Sequence, residues 1–265
     1  GATTSIFPSD EKTLEFLKLH DRAEDFTEFG ADEDVPYDEV ITVDLGEITP
    51  MIACPHSPDN VRPVKEVEGT KITQVAIGSC TNSSYKDLVM AARILKGKKI
   101  HPDVSLVISP GSKRVLTKLS MTDALKDLIE SGARVLECGC GPCIGMGQAP
   151  ETDGISLRTF NRNFEGRSGT KSAKVYLASP ETAATSAICG EITDPSRLEP
   201  EVFQKIDEIS YVNDNMVIRP EDNKPKAVIK GPNIKPFPLN TPLGDNMDTK
   251  VVLKVGDNIT TDHIM

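Results

Sequence analysis

The amino-acid sequence predicts an α/β protein of three layers, with a doubly wound and mostly parallel sheet. From residue 71 onward, short apolar runs alternate with amphipathic stretches, as in chains that fold into successive strand and helix units. Two of the apolar runs lead directly into loops that carry cysteines, one of them polar and the other rich in glycine. The strands of a parallel sheet end at one edge, and binding sites form there. We therefore expect thiols that are distant in sequence to meet at this edge.

The elements follow from the period of the apolar residues and from the turn residues between them. Strands are predicted over residues 40–45, 72–77, 104–108, 133–136, 174–178 and 250–255. Helices are predicted over residues 9–20, 84–95, 113–119, 122–130, 180–189 and 200–210. The proline-rich passage 50–63 is expected to be a connector.

These elements suggest four regions. Residues 1–67 are expected to form the C-terminal part of an α/β domain, and residues 68–212 an α/β domain that holds the cysteine loops. Residues 213–248 read as an interdomain linker, and residues 249–265 as the start of a further domain. The chain lacks an initiator methionine and stops within the polar stretch TTDHIM, so we interpret it as a piece of a longer protein.

The overall charge of the chain argues against two classes of binding partner. The formal net charge is −10 and the isoelectric point is near 5.0, which argues against broad binding to nucleic acids or anionic membranes. No apolar run approaches the roughly 20 residues of a membrane span, and the start shows no signal-peptide pattern. We expect a cytoplasmic or organelle-matrix location, with neither a membrane nor a nucleic-acid partner.

Three of the six cysteines form a candidate metal site. Cys140 and Cys143 lie in GCGPCIG, and Cys80 lies in IGSCTNSSY. Three thiolates can bind zinc together with a fourth ligand, or hold a four-iron cluster with one iron open. The histidines show no spacing that supplies a zinc ligand, whereas an open iron is a Lewis acid that can bind a substrate hydroxyl and carboxylate. The alternative is that the cysteines pack as small hydrophobic residues, which is the role expected for Cys54 and Cys189. Cys138 is surplus as a ligand.

A second candidate site is the loop SLRTFNRNFEGRSGT, residues 156–170. It carries Arg158, Arg162 and Arg167 among asparagines and glycines. Guanidinium groups bind carboxylates through two parallel hydrogen bonds, so the loop indicates a carboxylate-bearing ligand. The alternative is a solvated surface loop with incidental arginines.

Several motifs, in one order along the chain, resemble the aconitase family of iron–sulfur hydro-lyases. They are GATTSIFP, IGSCTNSSY, CGPCIG, NRNFEGR, VYLASPETAA and TTDHI. The resemblance implies an aconitase-like fold with a [4Fe–4S] cluster on Cys80, Cys140 and Cys143. It also implies a tricarboxylate substrate, with citrate and isocitrate interconverted through cis-aconitate in the citrate cycle.

The resemblance further assigns roles to single residues. It places Asn161 beside the cluster, and makes Arg162 and Arg167 substrate-binding residues. It implies a hydrogen bond near the cluster for Asn82 and an acid–base role for Asp262. Where many members have a serine after the D-H-I motif, this chain has Met265, and the contact of that serine is therefore not carried over.

Other readings remain open at this stage. By the same resemblance, further catalytic parts belong to missing N-terminal and C-terminal domains of the same enzyme, so this chain alone is expected to be inactive. Within the family, a homoaconitase or a 3-isopropylmalate dehydratase large subunit is the alternative. Outside it stand a non-catalytic RNA-binding protein and a zinc-stabilised or thiol-redox module.

Overall fold

The computed structural model describes residues 4–32, 34–218, 230–242 and 244–259. The chain divides into two units, one of which is Thr4–Val212 and the other Asn213–Met265 together with Gly1–Thr3. In the second unit, the described residues form no helix or strand, so the strand expected over residues 250–255 is not observed. Asp262 lies outside the described residues. The four-region division of the chain stays a prediction.

A seven-stranded sheet organises the unit Thr4–Val212, with the strand order β2-β1-β7-β6-β3-β4-β5. The strands are β1 (Met51–Ala53), β2 (Val61–Pro63), β3 (Gln74–Gly78), β4 (Ser105–Ser109), β5 (Arg134–Val135), β6 (Ile155–Arg158) and β7 (Lys174–Leu177). The five strands from β7 to β5 are parallel, while β1 pairs antiparallel with both β7 and β2. The α/β class with a mostly parallel sheet is therefore confirmed.

The edge strands β1 and β2 correct one expectation. Residues 50–63 were expected to be a connector, but Met51 to Ala53 pair with Val61 to Pro63. Ile52 is only 1% exposed, so this short apolar run gains stability by burial against the sheet. Pro63 ends an edge strand, where its missing N–H breaks no central ladder.

The α-helices of the described residues are α1 (Glu11–Lys18), α2 (Tyr85–Leu95), α3 (Lys113–Ser120), α4 (Ala124–Glu130) and α5 (Pro180–Cys189). The serines that precede α2 and α5 accept backbone N–H groups of the first turn, and a proline occupies the first position of α5. Helices α2 to α5 bury their apolar sides in one core with alternate residues of the strands, such as Val75 and Ile77.

The opposite face of the sheet is covered differently. Ala76 and Val107 point to that face and pack with Leu136, Cys143 and Phe160, which all lie in loops beyond the strands. In the described residues, the cysteine loop and the arginine loop thus form the layer on this side. One of the two cores therefore continues directly into the candidate site.

Two further predicted elements are wrong. Residues 40–45 form no strand, and Val40 and Leu45 are 76% and 81% exposed, because no neighbouring strand completes a ladder there. Residues 200–210 form only a short 3-10 helix, Pro200–Phe203. The Arg93 guanidinium donates to the carbonyl oxygens of Val202, within this short helix, and of Gln204, just after it, and these acceptors are not used by a continuing helix.

In the part of the chain that the structure describes, no helix has the length and apolar character required to cross a membrane.

Candidate functional site

The candidate site lies where the strand order of the sheet reverses. Strands β3 and β6 are neighbours, yet the chain runs from β3 to β4 on one side and from β6 to β7 on the other. The loops after β3 and β6 diverge at this point and leave a crevice, which is the usual position of ligands in such sheets. Cys80 follows the end of β3 by two residues, and Asn161 follows the end of β6 by three.

The turn that carries Cys80 requires an unusual backbone. Gly78 has a φ of +121°, and a Cβ atom there would lie 2.0 Å from the carbonyl oxygen of Ser109, so only glycine fits. Ser79 follows with a φ of +66°. The Asn82 side chain donates to the carbonyl oxygen of Thr159 over 2.7 Å. Asn82, for which the resemblance implies a hydrogen bond near the cluster, thus joins the loop after β3 to the loop after β6.

The second cysteine loop is a 3-10 turn, Gly141–Ile144, which ends at Gly145 in the left-handed conformation. Cys143 is buried in this turn, whereas Cys140 is exposed. The Ser109 hydroxyl donates to the carbonyl oxygen of Gly139 over 3.3 Å, and the Ser109 carbonyl accepts the N–H of Ser79. Both cysteine loops therefore contact Ser109, at the end of β4.

The interpretation of Arg158 as a carboxylate-binding residue is wrong. Arg158 was grouped with the carboxylate-binding arginines, but its side chain is fully buried. Its guanidinium donates to the Ser156 hydroxyl, the Gln74 side chain, and the carbonyl oxygens of Pro142 and Gln148, over 2.5–3.0 Å. Burial lowers the pKa of Arg158 to about 10, while the nearby Cys143 acts to raise it. Arg158 therefore holds the cysteine loop from inside the protein.

A sequence signal for this role exists in the strand period. Residues 156 and 158 lie on the same face of β6, and Gln74 of β3 is in register with Ser156. Three polar side chains on one face of two central strands predict a buried hydrogen-bond network, provided that the pairing of β3 with β6 is known. The sequence alone does not give that pairing.

The other residues of the arginine loop lie nearer the surface. Arg162 and Arg167 are half-buried and Asn161 is exposed. The Nη2 atom of Arg167 lies 4.0 Å from the Sγ atom of Cys143. The buried Asn163 donates to the carbonyl oxygens of Cys54 and Val175, which fastens the loop to β1 and β7. The structure thus brings Arg167 beside a predicted ligand cysteine.

All six cysteines are free thiols. Cys54 is buried as expected, but Cys189, also expected in the core, is exposed at the end of α5. Among the described residues, no three His, Cys, Asp or Glu side chains stand in metal-binding geometry. Cys80 and Cys140 are both exposed, and the Sγ atom of Cys80 lies 3.6 Å from the Thr81 hydroxyl oxygen.

The donor set fits an iron–sulfur cluster. Thiolates are the usual ligands of such clusters, and the three thiols come from two loops that meet at Ser109. Two buried hydroxyls in this region, Ser79 Oγ and Ser168 Oγ, have no hydrogen-bond partner. Ser79 precedes Cys80, and the backbone of Ser168 packs on Gly145. Unsatisfied polar groups of this kind mark a place where a polar ligand can bind.

The fold and the site define an α/β protein with a thiol and guanidinium crevice at the carboxyl edge of its sheet. The model of the aconitase family (aconitate hydratase) matches residues 1–190. The chain belongs to the aconitase family, whose large subunits bind a [4Fe–4S] cluster.

Several curated proteins of known family are similar in sequence to this chain. The chain is 46% identical over 196 residues to 3-isopropylmalate dehydratase large subunit 2 of Archaeoglobus fulgidus. The aligned segment covers 74% of this chain and 47% of that large subunit. It is 47% identical over 200 residues to large subunit 1 of the Thermotoga maritima dehydratase, covering 74% and 48%. It is 45% identical over 199 residues to a probable methanogen homoaconitase large subunit of Methanosarcina mazei, covering 75% and 50%. The chain spans about half the length of these relatives.

These comparisons revise the expected substrate. They support a hydro-lyase of the aconitase family, but they do not support the citrate and isocitrate reaction or a place in the citrate cycle. The alternative reading, a 3-isopropylmalate dehydratase or homoaconitase large subunit, fits them better.

Proposed function

We propose that this chain is the cluster-bearing part of a hydro-lyase that dehydrates 3-isopropylmalate, a hydroxy acid with two carboxylates. The observation that carries the proposal is an identity of 46–47% to two 3-isopropylmalate dehydratase large subunits over about three quarters of the chain, which includes both cysteine loops. Homoaconitase chemistry, on a homologous hydroxy acid with a third carboxylate, is the nearest variant.

The residues of the crevice supply what such a reaction requires. Cys80, Cys140 and Cys143 are the proposed cluster ligands, and the cluster, when bound, supplies a Lewis-acidic iron that favours departure of the substrate hydroxyl. Arg162 and Arg167 are proposed to bind a substrate carboxylate, because paired guanidinium groups hold it in a fixed orientation. Arg167 lies beside Cys143, so a carboxylate bound by this arginine would lie near a cluster held by Cys143. Asn161 is proposed to hydrogen-bond at the same place.

Two parts of the proposal concern residues and partners beyond the described crevice. Asp262 is proposed as a member of the acid–base network, on the resemblance alone. The relatives are named large subunits, so we propose a small-subunit partner that supplies the remaining substrate contacts. Because the chain also spans only about half the length of these large subunits, we expect it to bind substrate but not to turn it over usefully.

Substrate binding to the reconstituted chain tests the proposal without requiring turnover. The chain is loaded anaerobically with iron and sulfide, and the electron paramagnetic resonance spectrum of the reduced cluster is recorded with 3-isopropylmalate, citrate, isocitrate or malate. We expect 3-isopropylmalate to shift the spectrum at the lowest concentration. A response to citrate and isocitrate alone would instead support the aconitate hydratase reaction.

Two further outcomes contradict broader parts of the proposal. Zinc at one atom per chain without sulfide is inconsistent with a cluster and favours the zinc or thiol module. Turnover of the isolated chain at the rate of an intact hydro-lyase contradicts the dependence on a small subunit. Iron and sulfide analysis distinguishes the first outcome, and a kinetic assay of enoate formation the second.

A further inference from the structure

A buried polar network lies under the cysteine loop, on the sheet face opposite helices α2 to α5. It consists of Gln74 on β3 and of Ser156 and Arg158 on β6, which are 4%, 0% and 0% exposed. The Ser156 hydroxyl donates to Gln74 Oε1 over 2.7 Å, and the Arg158 Nη2 donates to the same oxygen over 2.8 Å. The three side chains therefore act as one rigid unit, because each fixes the others.

This network holds the segment after Cys140 at both ends. Arg158 Nη1 donates to the Pro142 carbonyl oxygen at the front of the segment, and Nη2 donates to the Gln148 carbonyl oxygen at its rear. The Gln74 amide adds a hydrogen bond to the Ala149 carbonyl oxygen over 3.1 Å. Cys143 lies between these anchor points, one residue after Pro142.

The buried position of Arg158 makes its positive charge energetically unfavourable. All four acceptors of its hydrogen bonds are neutral oxygens, and the guanidinium lies over the Phe160 ring at 5.4 Å. A buried cation that faces only neutral groups is destabilising, and an apolar side chain of similar volume often packs at lower cost. Negative charge on the thiolates and on a cluster bound above the loop would compensate for it.

We propose that Arg158 is a positioning residue of the cluster site, which clamps the Cys143 loop through its fork of donors and offsets the negative charge of the bound cluster. The inference rests on the proposed function for its second half only. The clamp is a property of the protein without any cluster, so the two halves are tested separately.

The matched control is Arg134 on β5. Arg134 is exposed and donates to the Gly147 carbonyl oxygen and the Gln148 side chain, both over 3.2 Å. It thus reaches the same loop from the solvent side. Arg158→Met removes the fork and the charge, and Arg158→Lys keeps the charge but loses the fork. Arg134→Met removes two exposed hydrogen bonds to the cysteine loop, the same number that Arg158 makes to this loop.

Hydrogen–deuterium exchange of the cluster-free chain tests the clamp. We expect the amides of Gly141 and of residues 143–148 to exchange about tenfold faster or more in Arg158→Met and Arg158→Lys, and within about twofold of the wild type in Arg134→Met. Unchanged exchange in a folded Arg158→Met variant overturns the clamp. If Arg158→Met does not fold, Gln74→Leu, which removes one acceptor and one anchor, serves in its place and must show faster exchange at residues 148 and 149.

The reduction potential of the reconstituted chain tests the proposed electrostatic effect of Arg158 on the cluster. Loss of a nearby cation disfavours the more negative reduced cluster, so Arg158→Met is expected to lower the midpoint potential, while Arg158→Lys keeps it close to the wild type. Equal potentials in all variants overturn the electrostatic half. Failure of the chain to take up iron and sulfide contradicts the proposed function instead, and leaves the exchange result intact as a measure of the clamp.

Discussion

The Nη2 atom of Arg167 lies 4.0 Å from the Sγ atom of Cys143, at the reversal point of the sheet. The two residues belong to different loops, one after β5 and one after β6, and each loop has its own anchor in the sheet: Arg158 for the first and Asn163 for the second. The contact joins the candidate ligand set to the candidate carboxylate site.

The first prediction concerns this arginine. Arg167→Gln is expected to weaken 3-isopropylmalate binding to the reconstituted chain by about tenfold or more, because a charge-assisted, bidentate contact is lost. Iron and sulfide content should stay at the wild-type level, as measured by colorimetric analysis. Arg62→Gln, on the exposed strand β2, is the control and should bind like the wild type. Equal affinities for both variants would remove Arg167 from the substrate site.

The second prediction separates the cysteines. Cys80→Ser, Cys140→Ser and Cys143→Ser should each lose most of the iron and sulfide after reconstitution, because a cluster held by three thiolates depends on each of them. Cys138→Ser and Cys189→Ser should load like the wild type, and they serve as controls for exposed thiols. A Cys138→Ser variant that fails to load would place Cys138 among the ligands.

The third prediction compares two glycines of the cysteine loop. At Gly145, with φ +86°, a Cβ atom would lie 2.2 Å from the carbonyl oxygen of Ser168, while at Gly147, with φ +72°, no heavy atom lies within 4 Å. Gly145→Ala should therefore lower the free energy of unfolding by about 2–4 kcal/mol, and Gly147→Ala by about 1–2 kcal/mol. Denaturant unfolding measures both. A smaller loss for Gly145→Ala than for Gly147→Ala would show that the Ser168 segment moves away at little cost.

The fourth prediction concerns pH. Burial opposes ionisation of Asp194, but hydrogen bonds from the Ser196 hydroxyl and N–H outweigh it, with Lys65 and Arg197 adding to them, and hold the pKa of Asp194 below its usual value. A lowered folded-state pKa stabilises the protein above the unfolded pKa of about 4, and this contribution disappears as the pH falls through the folded value.

The test is the slope of the unfolding free energy between about pH 6 and pH 3. Asp194→Asn should give a shallower slope than the wild type. Glu130→Gln, at the exposed end of α4, is the control and should keep the wild-type slope. Parallel curves for Asp194→Asn and the wild type would contradict the role of Asp194.

Much of the fold follows from local sequence signals. Strands β3, β4 and β7 begin and end within two residues of their predicted ranges, because each is a short apolar run ended by glycine, serine or proline. The caps of α2 and α5 are similarly local, since a serine bonds to the N–H groups of the following turn. The wrong strand at residues 40–45 has the right pattern, but a strand also requires a neighbour, which the pattern does not reveal.

The candidate site, like the fold, is only partly predictable from the sequence. Cysteine-bearing loops after apolar runs correctly indicate the edge of the sheet where Cys80 and Cys143 lie, because parallel strands end together. The role of Arg158 is not readable from its loop, because the residue belongs to strand β6 and its partners come from β3 and from the cysteine loop. Its burial depends on strand pairing, which arises only in the folded chain.

The anchors of Arg158 are carbonyl oxygens and side-chain oxygens, none of which takes part in thiol chemistry. If the thiolates hold iron, we therefore expect its oxidative loss to leave the conformation of residues 142–148 unchanged. Metal could then be reloaded without refolding of this loop.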